Sequence, residues 1–257
     1  MTALRSIFIW LALILLIALW VPLLTLIRLF DRDPVRYRTG RWFRRLGCAM
    51  TKVNPFWKVR IEGVERVSDP RNPYVVVANH QSMADIPVIS CLPWEMKWVA
   101  KEVLFRTPVV GYLMRLAGDI PVRRGDPESR EHVLERAAWY LRHRCSVIFF
   151  AEGTRSRDGR IQPFKRGAFE LAIREQVPVL PLAVDGAYRC LPKHGWQFEA
   201  CEVIHLAVLP PVDTHGLTLE DEPRLREEVR QMIIRHIAAW RGVSPEEVDA
   251  MVGNKEE

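Results

Sequence analysis

From Ile7 to Ile27 the chain carries a single polar residue, Thr25, between Arg5 and Arg28. A run of this kind must satisfy its backbone internally wherever lipid surrounds it, which makes it a helix. Its 21 residues at 1.5 Å each cover about 31 Å, roughly one bilayer hydrocarbon core. A signal peptide has a shorter apolar region followed by a small-residue cleavage site, and neither feature is present here. A retained membrane anchor is expected, either spanning or half-inserted, with Pro22 as the place for a kink or a re-entrant bend.

A basic stretch follows. Between Arg28 and Arg60 ten Lys/Arg stand against Asp31 and Asp33, a net of +8, whereas the whole chain carries +6. Trp42, Phe43, Leu46, Ala49, Met50 and Val53 recur at helical spacing, with Arg36, Arg38, Arg41, Arg44 and Arg45 among them. That pattern suits a helix lying in an anionic lipid surface. Basic residues with aromatics also occur on nucleic-acid binding faces, but the adjoining anchor points to membrane lipids and no nucleic acid. The basic flank follows the anchor, so the positive-inside rule places the rest of the chain in the cytoplasm, at the inner membrane in a bacterium. Residues 1–54 are therefore expected to be anchoring helices and residues 55–257 one catalytic domain.

That domain reads as α/β. Val75–Ala78, Val147–Phe150 and Val179–Val184 are continuous apolar runs, Val59 and Ile61 alternate with polar residues, and Val203–Leu209 is a further strand candidate. Helical stripes lie between and after them: Val133, Leu134, Ala137, Ala138 and Leu141, then Leu225, Val229, Met232, Ile233, His236, Ile237 and Trp240. Strands alternating with helices predict a mostly parallel central sheet flanked by helices. The polar Gly242–Glu257 segment is expected to fray. Cys48, Cys91, Cys145, Cys190 and Cys201 are odd in number and scattered, which fits reduced thiols used as small apolar side chains. The histidines show no zinc spacing, so no metal is expected. His132, His143, His194, His205, His215 and His236 read as ordinary surface or core residues.

The seventh histidine is different. Asn79-His80-Gln81-Ser82-Met83-Ala84-Asp85 follows directly on the run Tyr74–Ala78. A buried strand delivers reactive groups at its C-terminal end, and a histidine held by a carboxylate makes a general base at neutral pH. Positions five apart point about 140° away from each other on a regular helix, so the pair meets only across a turn, with Asp85 near the start of the next helix. No Ser or Cys lies in a recognisable nucleophile motif, so the base would activate a hydroxyl belonging to a substrate. Three further segments supply cationic turns: Gly118–Arg124, ending in Arg123 and Arg124; Phe149–Arg157, with Glu152, Gly153 and Arg155; and Pro163–Gly167, with Lys165 and Arg166. Together they read as a phosphate-binding rim beside a base. A Walker-type loop is absent.

These blocks resemble the 1-acyl-sn-glycerol-3-phosphate acyltransferases of the wider glycerolipid acyltransferase family. N-H-x-S-x-x-D is matched by Asn79, His80, Ser82 and Asp85, and the G-x-I-F-V-x-R type block by Gly118, Ile120, Val122 and Arg124, with Pro121 in place of the aromatic. In F-P-E-G-T-R-S, Ala151 replaces proline while Glu152, Gly153, Thr154, Arg155 and Ser156 agree. Val177–Pro181 meets V-P-[IV]-[IVL]-P, and Lys101 to Gly111 is similar to the family's K-x-x-L…P…G segment. The likeness covers roughly residues 56–210. It implies transfer of an acyl chain from acyl-CoA or acyl-carrier protein to the sn-2 hydroxyl of lysophosphatidic acid, giving phosphatidic acid, with no cofactor besides the co-substrate. By the resemblance His80 is the base, Asp85 holds it, Arg124 and Arg155 bind the acceptor phosphate, Glu152 and Gly153 shape that loop, and Thr154 is a further substrate-binding residue. Lys101 and Lys165 are further phosphate or donor contacts. Other readings stay open: another lyso-lipid or glycerol 3-phosphate as acceptor, a lipid hydrolase, or a non-catalytic lipid-surface protein.

Overall fold

The computed structural model describes residues 2–55, 57–191, 196–198 and 203–251; His194 and Cys201 lie outside them. In chain order the helices and strands are α1 (Thr2–Phe30), α2 (Tyr37–Val53), β1 (Val59–Glu62), β2 (Val75–Ala78), α3 (Asp85–Ile89), β3 (Met96–Lys101), α4 (Glu102–Phe105), α5 (Pro108–Ala117), β4 (Ile120–Val122), α6 (Pro127–Arg142), β5 (Ser146–Phe150), α7 (Gly167–Glu175), β6 (Val179–Asp185), α8 (Ala187–Cys190), β7 (Ile204–Val208), α9 (Glu222–Arg241) and α10 (Pro245–Val248). The strands form one sheet in the order β1-β7-β6-β2-β5-β3-β4. Every neighbouring pair is parallel except β6 with β7.

The apolar runs are continuous because the sheet is covered on both faces. Val75 and Val77 of β2 join one core with α6, α7 and α9, while Val76 and Ala78 join a second core with Val88 and Ile89 of α3. The sheet residues Val75–Ala78, Leu180, Leu182 and Val184 are fully inaccessible. Burying each larger side chain stabilises the fold by about 1.5–3 kcal/mol. Parallel β2, β5, β3 and β4 all end at the same edge, and β2 sits near the middle of it.

Helix α1 runs unbroken through Pro22. Twenty-nine residues give a length of about 43 Å, and the helix is docked on the domain near both ends. Arg5 Nη2 donates to Phe198 O (2.6 Å) and Trp10 Nε1 to Trp196 O (2.8 Å). Farther along, Leu24 packs with Leu46 of α2 and Leu113 of α5, and Thr25 Oγ1 meets the Tyr112 hydroxyl at 3.0 Å. The opposite side exposes Leu4, Phe8, Leu11, Leu15, Leu19, Leu26 and Leu29, an apolar stripe at helical spacing.

Three expectations are corrected. Arg44 does not face lipid: it is buried, bonded to Asp119 and 3.5 Å from Glu95. Glu95 also pairs with Lys97 at 2.9 Å, so two acids and two bases neutralise one another beneath α2. The helical stripe of sequence could not show this, because α2 uses its charged side as well as its apolar side to pack on the domain. Cys48 and Cys91, 43 residues apart, form a disulfide with Cα–Cα 4.6 Å where α2 packs on α3, which overturns the reading of reduced, scattered thiols. Cys145 is free and buried, and burial pushes its thiol up to about 12. Lastly, the chain after Gly242 is docked rather than frayed as far as the described residues reach. Val248 is fully buried, Ile161 N bonds Val248 O, and Asp249 holds the buried Arg230.

Candidate active site

At the end of β2 the ladder to β6 is continued by a side chain. Asn79 Nδ2 donates to Val184 O (2.9 Å) and Asn79 Oδ1 accepts from Val184 N (2.8 Å). The main chain is thereby released one residue early, and His80 turns out of the sheet. Ser82 Oγ donates to Leu191 O (2.7 Å) and accepts from Ala84 N (3.2 Å), which sets the turn into α3. Asp85 opens that helix, as expected.

One oxygen of Asp85 closes the turn. Oδ2 accepts from His80 Nδ1 (2.7 Å), Gln81 N (2.7 Å) and Ser82 N (2.9 Å), and the residue is completely buried. The bond fixes the proton on Nδ1 and leaves Nε2 as the basic nitrogen. Nε2 has no hydrogen-bond partner among the described residues, and the His80 side chain is 12% exposed. The imidazole is stacked on Phe150 with centroids 3.9 Å apart and planes at 17°. Sequence reasoning did not single out Phe150, although it stands at the F of the F-P-E-G-T-R-S block; in the structure it ends β5, paired with Ala78.

Glu152 grips the same turn from below. Its Oε1 accepts from His80 N (2.6 Å) and its Oε2 from Gln162 N (3.0 Å). Burial pushes this carboxyl up to about 8, against the pull of those two N–H groups. Ser156 N donates to His80 O (2.8 Å), so the loop after β5 is tied to both sides of His80. Gly153 has φ +71°, a left-handed conformation that favours glycine. Where the resembling family has proline, Ala151 N donates to Ala78 O (3.2 Å), a ladder bond that proline lacks. Pro121 lies on the edge strand β4, where a missing N–H is tolerated.

Glu152, Thr154, Arg155, Lys165 and Arg157 line one pocket of about 520 Å³ beside this turn. Lys101 ends β3 and is in register with Val122, while Arg124 follows β4; both are exposed. They share the edge with His80, but two and three strands from β2, about 10 and 14 Å sideways. Arg123 is occupied, bonded to Glu102 and Asp126. A support unforeseen from sequence is the C-terminal helix. Arg241 Nη2 donates to Asp185 Oδ1 (2.6 Å) and Gly159 O (2.9 Å), and Gln81 Nε2 donates to the same Asp185 oxygen (3.1 Å). Arg230 bonds Ile161 O and Gln162 O at 3.1 and 3.2 Å. Helix α9 thus braces the loop that holds Glu152.

An imidazole with one nitrogen oriented by a buried carboxylate and the other without a partner among the described residues can accept a proton from an incoming hydroxyl. The pocket beside it sets Arg155, Arg157 and Lys165 against Asp158 and the raised carboxyl of Glu152, an excess of positive charge that suits a phosphate. Comparison with known proteins places the chain in a family. The Acyltransferase family profile matches residues 58–185. A chloroplastic 1-acyl-sn-glycerol-3-phosphate acyltransferase of Brassica napus is 37% identical over 179 residues, 70% of this chain and 51% of the relative. The human 1-acyl-sn-glycerol-3-phosphate acyltransferase alpha is 35% identical over 206 residues, 78% of this chain and 71% of the relative. The crystal structure of the 1-acyl-sn-glycerophosphate acyltransferase of Thermotoga maritima superposes with a TM-score of 0.79 at 28% identity, covering 93% of this chain and 96% of that one. This chain spans about half the length of the Brassica napus relative and nearly all of the Thermotoga maritima protein.

Proposed function

Because the chain belongs to the acyltransferase family that includes the 1-acyl-sn-glycerol-3-phosphate acyltransferases, we propose that it acylates the sn-2 hydroxyl of lysophosphatidic acid to give phosphatidic acid. The donor is an acyl thioester, acyl-CoA or acyl-carrier protein, and no other cofactor takes part. His80 Nε2 removes the hydroxyl proton as that oxygen attacks the thioester carbonyl. The C–S bond then breaks, and the imidazolium returns the proton to the leaving thiolate. Asp85 holds the imidazole and balances its charge during the step. Arg155, Thr154 and Lys165 receive the acceptor phosphate, with Arg124 and Lys101 farther along the rim. Glu152 and Gly153 hold the loop. The observation that carries this reading is Nε2 itself: an oriented base with no enzyme hydroxyl or thiol bonded to it among the described residues. The test is thiol release from palmitoyl-CoA with lysophosphatidate, glycerol 3-phosphate or lysophosphatidylcholine. Release dependent on lysophosphatidate with phosphatidate as product is expected; equal release without acceptor means hydrolysis, and none with any donor or acceptor means a binding protein.

The membrane arrangement is part of the proposal. An N-terminal helix docked near both ends and apolar on its outer side supports an anchor lying along the domain, immersed in one leaflet, with the domain on the cytoplasmic face. The basic flank favours that side, whereas the Cys48–Cys91 disulfide is the rarer case there. Protease cleavage of the domain in inverted but not right-side-out vesicles is the expected result, and the reverse pattern would rule out the cytoplasmic face.

A further inference from the structure

Beyond β4, at the open edge of the sheet, lies a second cationic groove of about 410 Å³, bordered by Ile120 and Pro121 and lined by Arg36, Arg106, Arg115 and Arg136. Its two acids are already paired: Asp119 with Arg44 outside the groove, and Glu102 with Arg123 outside it and with the groove's own Arg106. Among the described residues three guanidinium groups are left without a carboxylate. Arg36 Nη1 donates to Arg115 O (2.7 Å), Arg115 Nη1 to Phe105 O, and Arg136 Nη2 to the Tyr140 hydroxyl (3.2 Å). Each guanidinium has five N–H donors, so most of them remain for an incoming anion. These contacts also hold the three side chains in place before anything binds, which lowers the entropy lost on binding.

We infer that this groove is a second phosphate-binding site, and that it takes the phosphate-bearing end of the acyl-thioester donor. The inference rests on the proposed thioester chemistry. The pocket lined by Thr154, Arg155 and Lys165 meets the His80 turn through Glu152 and serves a phosphate three carbons at most from the reacting hydroxyl. The groove lies beyond β4, which is itself about 14 Å from β2, farther from His80 than that phosphate reaches. It suits a ligand with its reactive carbonyl at one end of a long arm and a phosphate at the other. CoA and the prosthetic group of acyl-carrier protein share that design, since both carry the thiol on 4′-phosphopantetheine. Lys101 and Arg124 lie on the way, at the ends of β3 and β4.

The test is calorimetric titration of the detergent-solubilised full chain with CoA, 4′-phosphopantetheine and pantetheine, the last two differing only in the phosphate. Arg115→Gln and Arg136→Gln are compared with wild type, with melting temperature as the folding control and Arg136→Lys retaining the charge. Loss of one charge-assisted contact predicts about tenfold weaker binding of CoA and phosphopantetheine in each Gln variant, an intermediate value for Arg136→Lys, and a KM for lysophosphatidate within about twofold of wild type. CoA bound equally by all variants, or pantetheine bound as tightly as phosphopantetheine, overturns the inference. So does a loss seen only for nanodiscs containing anionic phospholipid, which makes the groove a headgroup site. The proposed function fails separately, if wild type binds CoA through these arginines yet releases no thiol when acceptor is added.

Discussion

Replacing Asp85 by Asn removes a charge while leaving room for the same bonds. The single oxygen Oδ2 takes all three donors, at 2.7, 2.7 and 2.9 Å, while Oδ1 is buried with no partner among the described residues. The amide will therefore place its oxygen where Oδ2 stood, because the other orientation sets NH₂ against two fixed backbone N–H groups and Nδ1. His80 keeps its tautomer. The new NH₂ then occupies a buried site without an acceptor, which costs about 1–3 kcal/mol of stability. Catalysis loses the attraction between the carboxylate and the imidazolium formed in the transition state. Two unit charges about 4 Å apart at an effective dielectric of about 20 interact by about 4 kcal/mol, an upper bound of roughly 10³ in rate. Thiol release at saturating lysophosphatidate should show kcat down by about 10²–10³, with KM little changed and the protein folded at the assay temperature. A kcat within about threefold of wild type would refute the reasoning and reduce Asp85 to a cap of α3.

Phe150→Leu keeps the site apolar but removes the ring stacked on His80; a kcat loss of about three- to tenfold with unchanged KM values is expected, and no change would mean the stack does not position the base. Cys48→Ser opens a loop of 43 residues, worth about 4 kcal/mol by loop entropy; chemical denaturation should show a loss of about 2–4 kcal/mol, matched by reductant on wild type, and equal stabilities would contradict the bond. Glu152 gives a pH signature. Its native carboxyl is raised to about 8 from an ordinary 4.5, so between those values the folded form holds a proton that the unfolded form has released. Its contribution to stability is full below pH 4.5 and is lost as pH rises through 8. Wild type should therefore lose stability over that window more steeply than Glu152→Gln, measured by denaturation at several pH values; parallel curves would exclude this residue as the source.

The sheet was legible because runs such as Val75–Ala78 and Val179–Val184 have a single physical use, burial on both faces. The His80–Asp85 pairing across a turn followed from helical geometry. Other parts are long-range and leave no periodic trace. The bonds of Gln81 to Asp185 and of Arg241 to Asp185 and Gly159 join residues far apart in sequence. Strand β3 was missed because Met96–Lys101 mixes buried Lys97 with apolar neighbours, and only Glu95 and Ala117 O at 2.9 and 2.8 Å make a buried lysine tolerable. For the same reason Arg44 reads as a surface charge until Asp119 is placed beside it. The docked tail at Val248 depends on a bridge from Ile161 to Asp249, which composition alone cannot show.

The central claim is that His80 Nε2 takes the proton of a lipid acceptor. The most direct measurement is acceptor-dependent thiol release from palmitoyl-CoA by wild type and by His80→Ala, in parallel with membrane association of both. The account predicts phosphatidate formation by wild type and a loss of at least about 10²–10⁴ in the variant, with membrane association unchanged. Turnover by His80→Ala near the wild-type rate would contradict it.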